Sequence, residues 1–167
     1  LADVTGAVNQ SGTVLYRVNF EYLNKNSFRD FGFHERTFVA PSFTWKITPN
    51  TQFDLDFMYS KEKFQEDYGV VALGDRPAKV PRSRFLGEPA DKANLQLYNT
   101  AATLTHAINN DWQVRARFNH LRRDTVDPQT TGFDLNEITG DMQRFFYSGA
   151  ATNDVLMGTA DVTGRFH

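Results

Sequence analysis

Alternation of apolar and polar residues constrains this chain more than any other feature. From Gln52 to Ser60 the order is Q-F-D-L-D-F-M-Y-S. In an extended chain, Phe53, Leu55, Phe57 and Tyr59 share one face, while Gln52, Asp54, Asp56 and Ser60 share the other. A helix would scatter the same residues around its circumference. The pattern recurs at 14–22, where Val14, Tyr16, Val18, Phe20 and Tyr22 oppose Arg17, Asn19 and Glu21. It returns at 112–118, with Trp112, Val114, Ala116 and Phe118 against Gln113, Arg115 and Arg117. Near the C-terminus Leu156, Ala160, Val162 and Phe166 oppose Thr159, Asp161, Thr163 and Arg165. The fold class is all-β.

Two segments alternate less cleanly. Residues 36–47 keep the pattern only from Phe43 through Trp45 to Ile47, and Pro41, lacking an N–H, suggests an edge or a bulge. Residues 94–108 are rich in Thr and Leu, and their two faces are hard to tell apart. Both read as strands by position. The expected crossings are 2–8, 13–24, 35–47, 51–61, 94–108, 111–123 and 142–166. The last exceeds a membrane crossing of about 9–11 residues. It is expected to project beyond the bilayer, with a break near Gly149–Asn153.

The connections limit the architecture further. N-Q-S-G at 9–12, T-P-N at 48–50 and N-N-D at 109–111 are tight and built from turn-forming residues. Between them lie longer stretches at 25–34, 62–93 and 125–141. Short and long links that alternate are expected of an antiparallel up-and-down transmembrane β-barrel, which has tight turns at one end and larger loops at the other. Trp45 and Trp112 both lie within about three residues of short turns, where an interfacial aromatic girdle belongs. About seven strands with two free edges do not close, so the chain reads as a slice of a larger barrel.

Composition narrows the function classes. With 40% hydrophobic and 23% charged residues the chain is too apolar to be disordered. No apolar stretch is long enough for a spanning helix. The 14% aromatic content, including 15 Phe, on an otherwise polar chain fits a sheet with one apolar and one wet face. A net charge of −2 gives no reason to expect nucleic acid, and zero cysteines exclude disulfides and thiolate chemistry. No nucleophile elbow, phosphate loop or dinucleotide fingerprint occurs, so no enzyme is expected. His34, His106, His120 and His167 lie far apart without metal-ligand spacing, so no metal site is expected. The chain opens at Leu1 with no Met, basic n-region or apolar signal segment, from which a processed or excised start is expected.

An ordered set of segments resembles a known family. D-V-T-G-A-V at 3–8 and L-Y-R-V-N-F-E-Y at 15–22 are similar to an early barrel hairpin of TonB-dependent siderophore receptors. The likeness continues through S-F-R-D-F at 27–31, V-A-P-S-F-T-W at 39–45 and T-P-N-T at 48–51. It extends to G-V-V-A-L-G-D at 69–75, V-P-R-S-R-F-L-G-E-P at 80–89 and L-T-H-A-I-N-N-D-W at 104–112, and is weakest beyond Asp124. The order is similar to that of ferrichrome and hydroxamate-type receptors of the outer membrane. The resemblance implies a barrel of about 22 strands enclosing an N-terminal plug. Residues 1–167 would then be one partial barrel domain, with plug and remaining strands absent. It also implies ferric siderophore as cargo, no resident cofactor, and TonB as a partner acting through the absent plug and box region.

In that frame Tyr16, Val18, Phe20, Trp45, Phe53, Leu55, Phe57 and Trp112 are expected to face lipid. Arg17, Glu21, Asp54, Asp56, Arg115 and Arg117 are expected to face the lumen, making cross-strand ladders or touching the plug. The loop at 62–93 is the candidate ligand contact. It carries Tyr68, Arg76, Lys79, Arg82, Arg84 and Phe85, and Tyr68, Arg82, Arg84 and Phe85 best suit a chelate with an apolar shell and polar oxygens. Pro77, Pro81 and Pro89 point to a packed loop, whose basic residues could instead meet lipopolysaccharide phosphates. Phe28, Phe31 and Phe33 read as loop-to-loop packing, and the consecutive Phe145, Phe146 and Tyr147 resist assignment to a face. The competing readings are a passive porin or small structural outer-membrane barrel, and a soluble lipocalin-like barrel with apolar residues inward.

Overall fold

In a computed structural model describing residues 1–166, the alternating segments lie side by side in one antiparallel sheet of seven strands. In chain order the strands are β1 (Ala2–Ala7), β2 (Val14–Asn26), β3 (Phe33–Thr48), β4 (Thr51–Phe64), β5 (Ala72–Leu73), β6 (Arg76–Pro77), β7 (Ala93–Ala107), β8 (Trp112–Leu135) and β9 (Met142–Gly164). The sheet runs β1-β2-β3-β4-β7-β8-β9, so each strand pairs with its sequence neighbour. β5 and β6 form a separate small hairpin within the β4–β7 connection. β1 and β9 are the outer edges of the sheet.

The register explains why the alternation is so regular. One row across the sheet reads Gly6, Tyr16, Phe43, Leu55, Ala102, Phe118, Gly158. The next row, on the opposite face, reads Thr5, Arg17, Ser42, Asp56, Ala101, Asn119, Met157. A slip of one residue in any strand would exchange the two faces, so the pattern itself holds the register. The apolar face has no second layer to cover it. Leu55, Phe57 and Phe118 stay exposed, and the only buried apolar side chains among the described residues are Val71, Ala78, Ala93 and Ala101. A soluble domain buries such a face against another layer; this sheet leaves it open.

Pro41 sits inside β3, opposite Val18 of β2, and does not make β3 an edge. The β3–β4 pairing instead skips Ala40 and Pro41, running from Val39↔Tyr59 to Ser42↔Asp56, and a bulge follows between Lys46 and Thr48. The missing N–H coincides with that gap.

Several strands run further than the sequence expectation. β8 continues to Leu135 instead of ending near 123, and β9 is unbroken through Gly149–Asn153. The link expected at 125–141 therefore shrinks to 136–141, and that at 25–34 shrinks to 27–32. Only 65–92 is a long connection, so the alternation of loop lengths is weaker than the sequence suggested. The cause is physical. Beyond the apolar band both faces of a hairpin can be polar, so the ladder persists after the alternation that announces it has stopped. His167 lies outside the described residues.

Candidate functional site

The two ends of the sheet are finished differently. At the turn end, short side chains cap the backbone. Asn9 Oδ1 accepts from the N–H groups of Thr13 (3.0 Å) and Val14 (3.1 Å). Asn109 Oδ1 accepts from Asp111 and Trp112, both at 2.9 Å. The Asn109 contact to Asp111 is an Asx turn, while Asn9 spans its whole link to the start of β2; both set tight links without a core. The opposite end carries the connection 65–92, and its side chains reach across to three other elements.

Gln65 closes the loop at its base. Its N–H donates to Phe33 O at 3.1 Å, and its Nε2 donates to Glu88 O (3.1 Å) and Asp91 O (2.5 Å). The residue is buried, and Oε1 has no hydrogen-bond partner. Both ends of the loop are thus pinned by one side-chain amide. Gly74, at φ +64°, forms the turn of the β5–β6 hairpin, a backbone conformation that favours glycine.

The tip of the β8–β9 hairpin supplies the second set of contacts. Arg76 makes a two-pronged pair with Glu137, at 3.0 and 2.6 Å, and the Lys79 N–H donates to the same carboxylate at 2.7 Å. These donors hold the Glu137 carboxyl down to about 2, with the Arg76 hydrogen bonds the largest cause. Thr130 Oγ1 donates to Asp91 Oδ2 at 2.6 Å, and Arg144 pairs with Glu88 at 2.5 Å. On the other face of β8, Glu66 lies near Asp127. Burial first, and that neighbouring carboxylate second, push Glu66 above its ordinary value. Tyr68 is raised likewise by burial, then by Glu66 and Asp127, against a hydrogen bond with Gln129 that lowers it. The loop therefore straddles the stretch of β8 beyond Val126, where β7 pairing has ended.

The third set comes from the connection 27–32. Arg29 reaches Asp67 and two carbonyls of the long loop, Arg82 lies 4.6 Å over the Phe28 ring, and Phe31 meets Phe85 edge-on at 6.4 Å. Phe28 and Phe31 are thus in loop-to-loop packing. The candidate contact residues do not converge on one cavity. Tyr68 and Phe85 line a crevice of about 30 Å³ with Glu66, Gly87 and Thr130, room for no more than a water. Arg84 lines a separate groove of about 340 Å³ with Lys79, Leu86, Leu135 and Met142, and Arg82 stacks on Phe28.

On the sheet, Tyr16, Val18, Phe20, Trp45, Phe53, Leu55, Phe57 and Trp112 all fall on the apolar face by register. Arg17, Glu21, Asp54, Asp56, Arg115 and Arg117 fall on the other. Their partners are not one another, because β3 separates β2 from β4 and β7 separates β4 from β8. Arg17 pairs with Asp3 at 2.6 Å, Arg36 lies 3.8 Å from Glu21, Asp54 accepts from Thr44 at 2.6 Å, and Arg115 lies 3.5 Å from Asp161. His34 pairs with Glu62 at 3.0 Å, and His120 with Asp154 at 2.9 Å. Among the described residues no three His, Cys, Asp or Glu side chains gather as metal ligands. Among the described residues no helix is long and apolar enough to cross a membrane, which says nothing of a β-barrel. The sequence reading missed Gln65, Arg29 and Glu137. Each acts on a partner more than 20 positions away, and no local period marks such a residue.

No protein-family model matches the chain. The metal-pseudopaline receptor CntO of Pseudomonas aeruginosa (strain UCBPP-PA14) is 34% identical over 114 residues, 68% of this chain and 16% of that protein. The ferric-catecholate import receptor Fiu of E. coli K12, in its open form, matches 99% of this chain and 28% of its own with a TM-score of 0.87 and 18% identity. FpvA of P. aeruginosa, in complex with a heterologous pyoverdine and iron, matches 99% of this chain and 23% of its own with a TM-score of 0.83 and 19% identity. The chain is a segment of a TonB-dependent receptor barrel. Each of these proteins is named as a receptor, in keeping with a non-enzymatic reading. Among the described residues the sheet does not close on itself, and β1 and β9 are its two outer edges.

Proposed function

We propose that this chain forms part of the wall of an outer-membrane receptor that binds ferric siderophores or related metal chelates and imports them with TonB-coupled energy. The observation that carries the reading is the pair of adjacent rows. Tyr16, Phe43, Leu55 and Phe118 lie on an uncovered face, while Arg17, Ser42, Asp56 and Asn119 lie on the opposite one. Hydrocarbon outside and water inside satisfy both rows at once. The apolar row then faces lipid and the polar row faces the lumen and plug. In this reading TonB acts through the receptor's plug and box region, and the metal chelate is cargo rather than a resident cofactor.

Tyr68, Arg82, Arg84 and Phe85 are the proposed ligand contacts, on a loop held by three neighbouring elements. The resemblance to ferrichrome and hydroxamate-type receptors favours a hydroxamate chelate. The similarity to receptors whose names specify pseudopaline, a catecholate or pyoverdine supports the wider class of metal chelates. Lipopolysaccharide is the proposed surface partner. Lys61 and Lys63 follow Tyr59 on the lipid side of β4, just beyond the apolar band, and neither has an ion pair among the described residues.

Deletion of residues 68–86 in the full-length receptor is expected to weaken binding of a metal chelate while membrane insertion persists, since loops vary without disturbing their scaffold. The probes are ferrichrome, ferric pyoverdine, a ferric catecholate and a metal–pseudopaline complex, titrated against receptor in vesicles. Unchanged affinity for a chelate that the intact receptor binds would move the contacts to other loops or the plug.

A further inference from the structure

We propose that Arg29, on the link between β2 and β3, is a positioning residue that fixes residues 82–85 and joins the two connections into one wall of the binding surface. The inference rests on the receptor reading for its consequence in binding, though the clamp itself does not. Arg29 Nε donates to Asp67 Oδ2 at 3.1 Å, and Nη1 donates to Arg82 O at 2.9 Å and Arg84 O at 3.0 Å. Only 11% of the Arg29 side chain is exposed. A guanidinium presents donors in a rigid planar fork, so it holds a carboxylate and two carbonyls in fixed relative positions. A lysine ammonium, a compact point charge on a flexible stem, does not.

The neighbours of Arg29 repeat the contact. The Asp30 N–H donates to Ser83 O at 2.8 Å, Phe28 lies under the Arg82 guanidinium, and Phe31 packs on Phe85. Each residue from 28 to 31 thus touches the segment 82–85. Phe31 adopts φ +64°, a left-handed conformation that side chains other than glycine rarely take. The link is braced to hold it there: the Ser27 N–H donates to Gly32 O at 2.8 Å and the Gly32 N–H to Arg29 O at 3.2 Å. With the carbonyls of Arg82 and Arg84 both turned to one guanidinium, the peptide planes across 82–85 are set. The directions of Arg82, Arg84 and Phe85 follow from them. Such preorganisation removes an ordering cost from ligand binding.

The test uses the full-length receptor in lipid vesicles. Hydrogen exchange over residues 79–86 should rise at least about tenfold in Arg29→Ala, the order expected when a set of charge-assisted hydrogen bonds is lost. Exchange in β4 and β7 should not change. Arg29→Lys should fail to restore protection. In the Arg29→Ala background, the pair Asp30→Cys and Ser83→Cys, whose backbones are one hydrogen bond apart, should restore both protection and chelate affinity when oxidised and lose both when reduced. Unchanged exchange in Arg29→Ala would overturn the clamp. Raised exchange with unchanged affinity, for a chelate from the panel above that the wild type binds, would overturn its role in recognition. A wild type that binds none of the panel would sink the receptor reading instead, while the exchange arm still decides the clamp.

Discussion

Between Val14 and Tyr22, β2 offers alternate residues to two different surroundings; between Gln65 and Lys92 no period of any kind survives. Yet both regions are ordered, and they are ordered by different means. The sheet is held by a continuous ladder whose register is defended by the contrast between its faces. The loop end is held by individual contacts: an amide on two carbonyls, a guanidinium on a carboxylate and two carbonyls, and a carboxylate under a guanidinium. A single charge change should therefore damage the sheet according to which face it lands on. At the loop end the same change should act only through the partner it loses.

The sheet is expected to suffer most from a charge on its apolar face. Leu55→Arg puts a cation on the apolar face near the middle of the crossing and should cost about 2–4 kcal/mol of folding free energy in vesicles. Asp56→Arg, one residue on, places the same side chain beside Ser42 and Ala101 on the polar face, where the desolvation cost largely vanishes. Urea titration of the full-length receptor folding into lipid measures both. Greater damage from Asp56→Arg would invert the two faces and return the lipocalin-like alternative.

The same contrast explains what could be read from residues alone. Four of the seven sheet strands were legible from alternation, as where Phe53, Leu55 and Phe57 must avoid water while Asp54 and Asp56 must reach it; 2–8, 36–47 and 94–108 were placed by position. The stretch 124–135 was not legible, because Asp124, Asp127 and Pro128 carry no alternation. The structure pairs them with Thr152, Gly149 and Ser148, through ladder bonds that are indifferent to side-chain polarity. At the loop end, aromatic and basic content marked 62–93 as chemically distinctive. The residues that shape it lie elsewhere, Arg29 before β3 and Glu137 after β8, and joining them requires the sheet to be built first.

The loop end is expected to respond to the loss of one partner. Gln65→Ala removes the amide that ties both ends of the long loop and leaves the Glu88 and Asp91 carbonyls short of a donor. The expected cost is about 1–3 kcal/mol, confined to the loop. Hydrogen exchange should speed up over 86–92 while β2 and β3 keep their protection. A loss spread over the whole sheet would mean that loop and ladder fold as one unit.

A smaller effect lies at the border between the regions. Lys61→Ala should cost about 1 kcal/mol in vesicles whose outer leaflet carries phosphorylated glycolipid, and close to nothing in neutral phosphatidylcholine, because a cation near an anionic surface gains only from the charge. Added salt should erase the difference. An equal cost in both lipids would remove phosphate recognition from this position.

The smallest effect concerns two carboxylates of the loop end that respond to pH in opposite directions. Glu137 is held at about 2, below its ordinary 4.5, so the tie it makes to Arg76 is fully present above pH 4.5 and is lost as pH falls toward 2. Glu66 is raised from the same ordinary value by burial and then by Asp127, so its charged form works against docking on β8. That attachment is at its best below 4.5 and weakens as pH rises through the raised value. Glu66→Gln should therefore tighten the loop on β8 at neutral pH, by roughly a few tenths of a kcal/mol for so solvated a pair. Glu137→Gln should loosen the tip at neutral pH and flatten its response in the acid range. Spin labels at Asp75→Cys and Thr139→Cys, both on exposed residues, report the tie to the tip, and exchange over 66–70 reports the docking on β8. Faster exchange over 66–70 in Glu66→Gln at neutral pH would mean that the charged carboxylate makes an attractive contact there, so that this stretch of β8 is held by charge and not by burial.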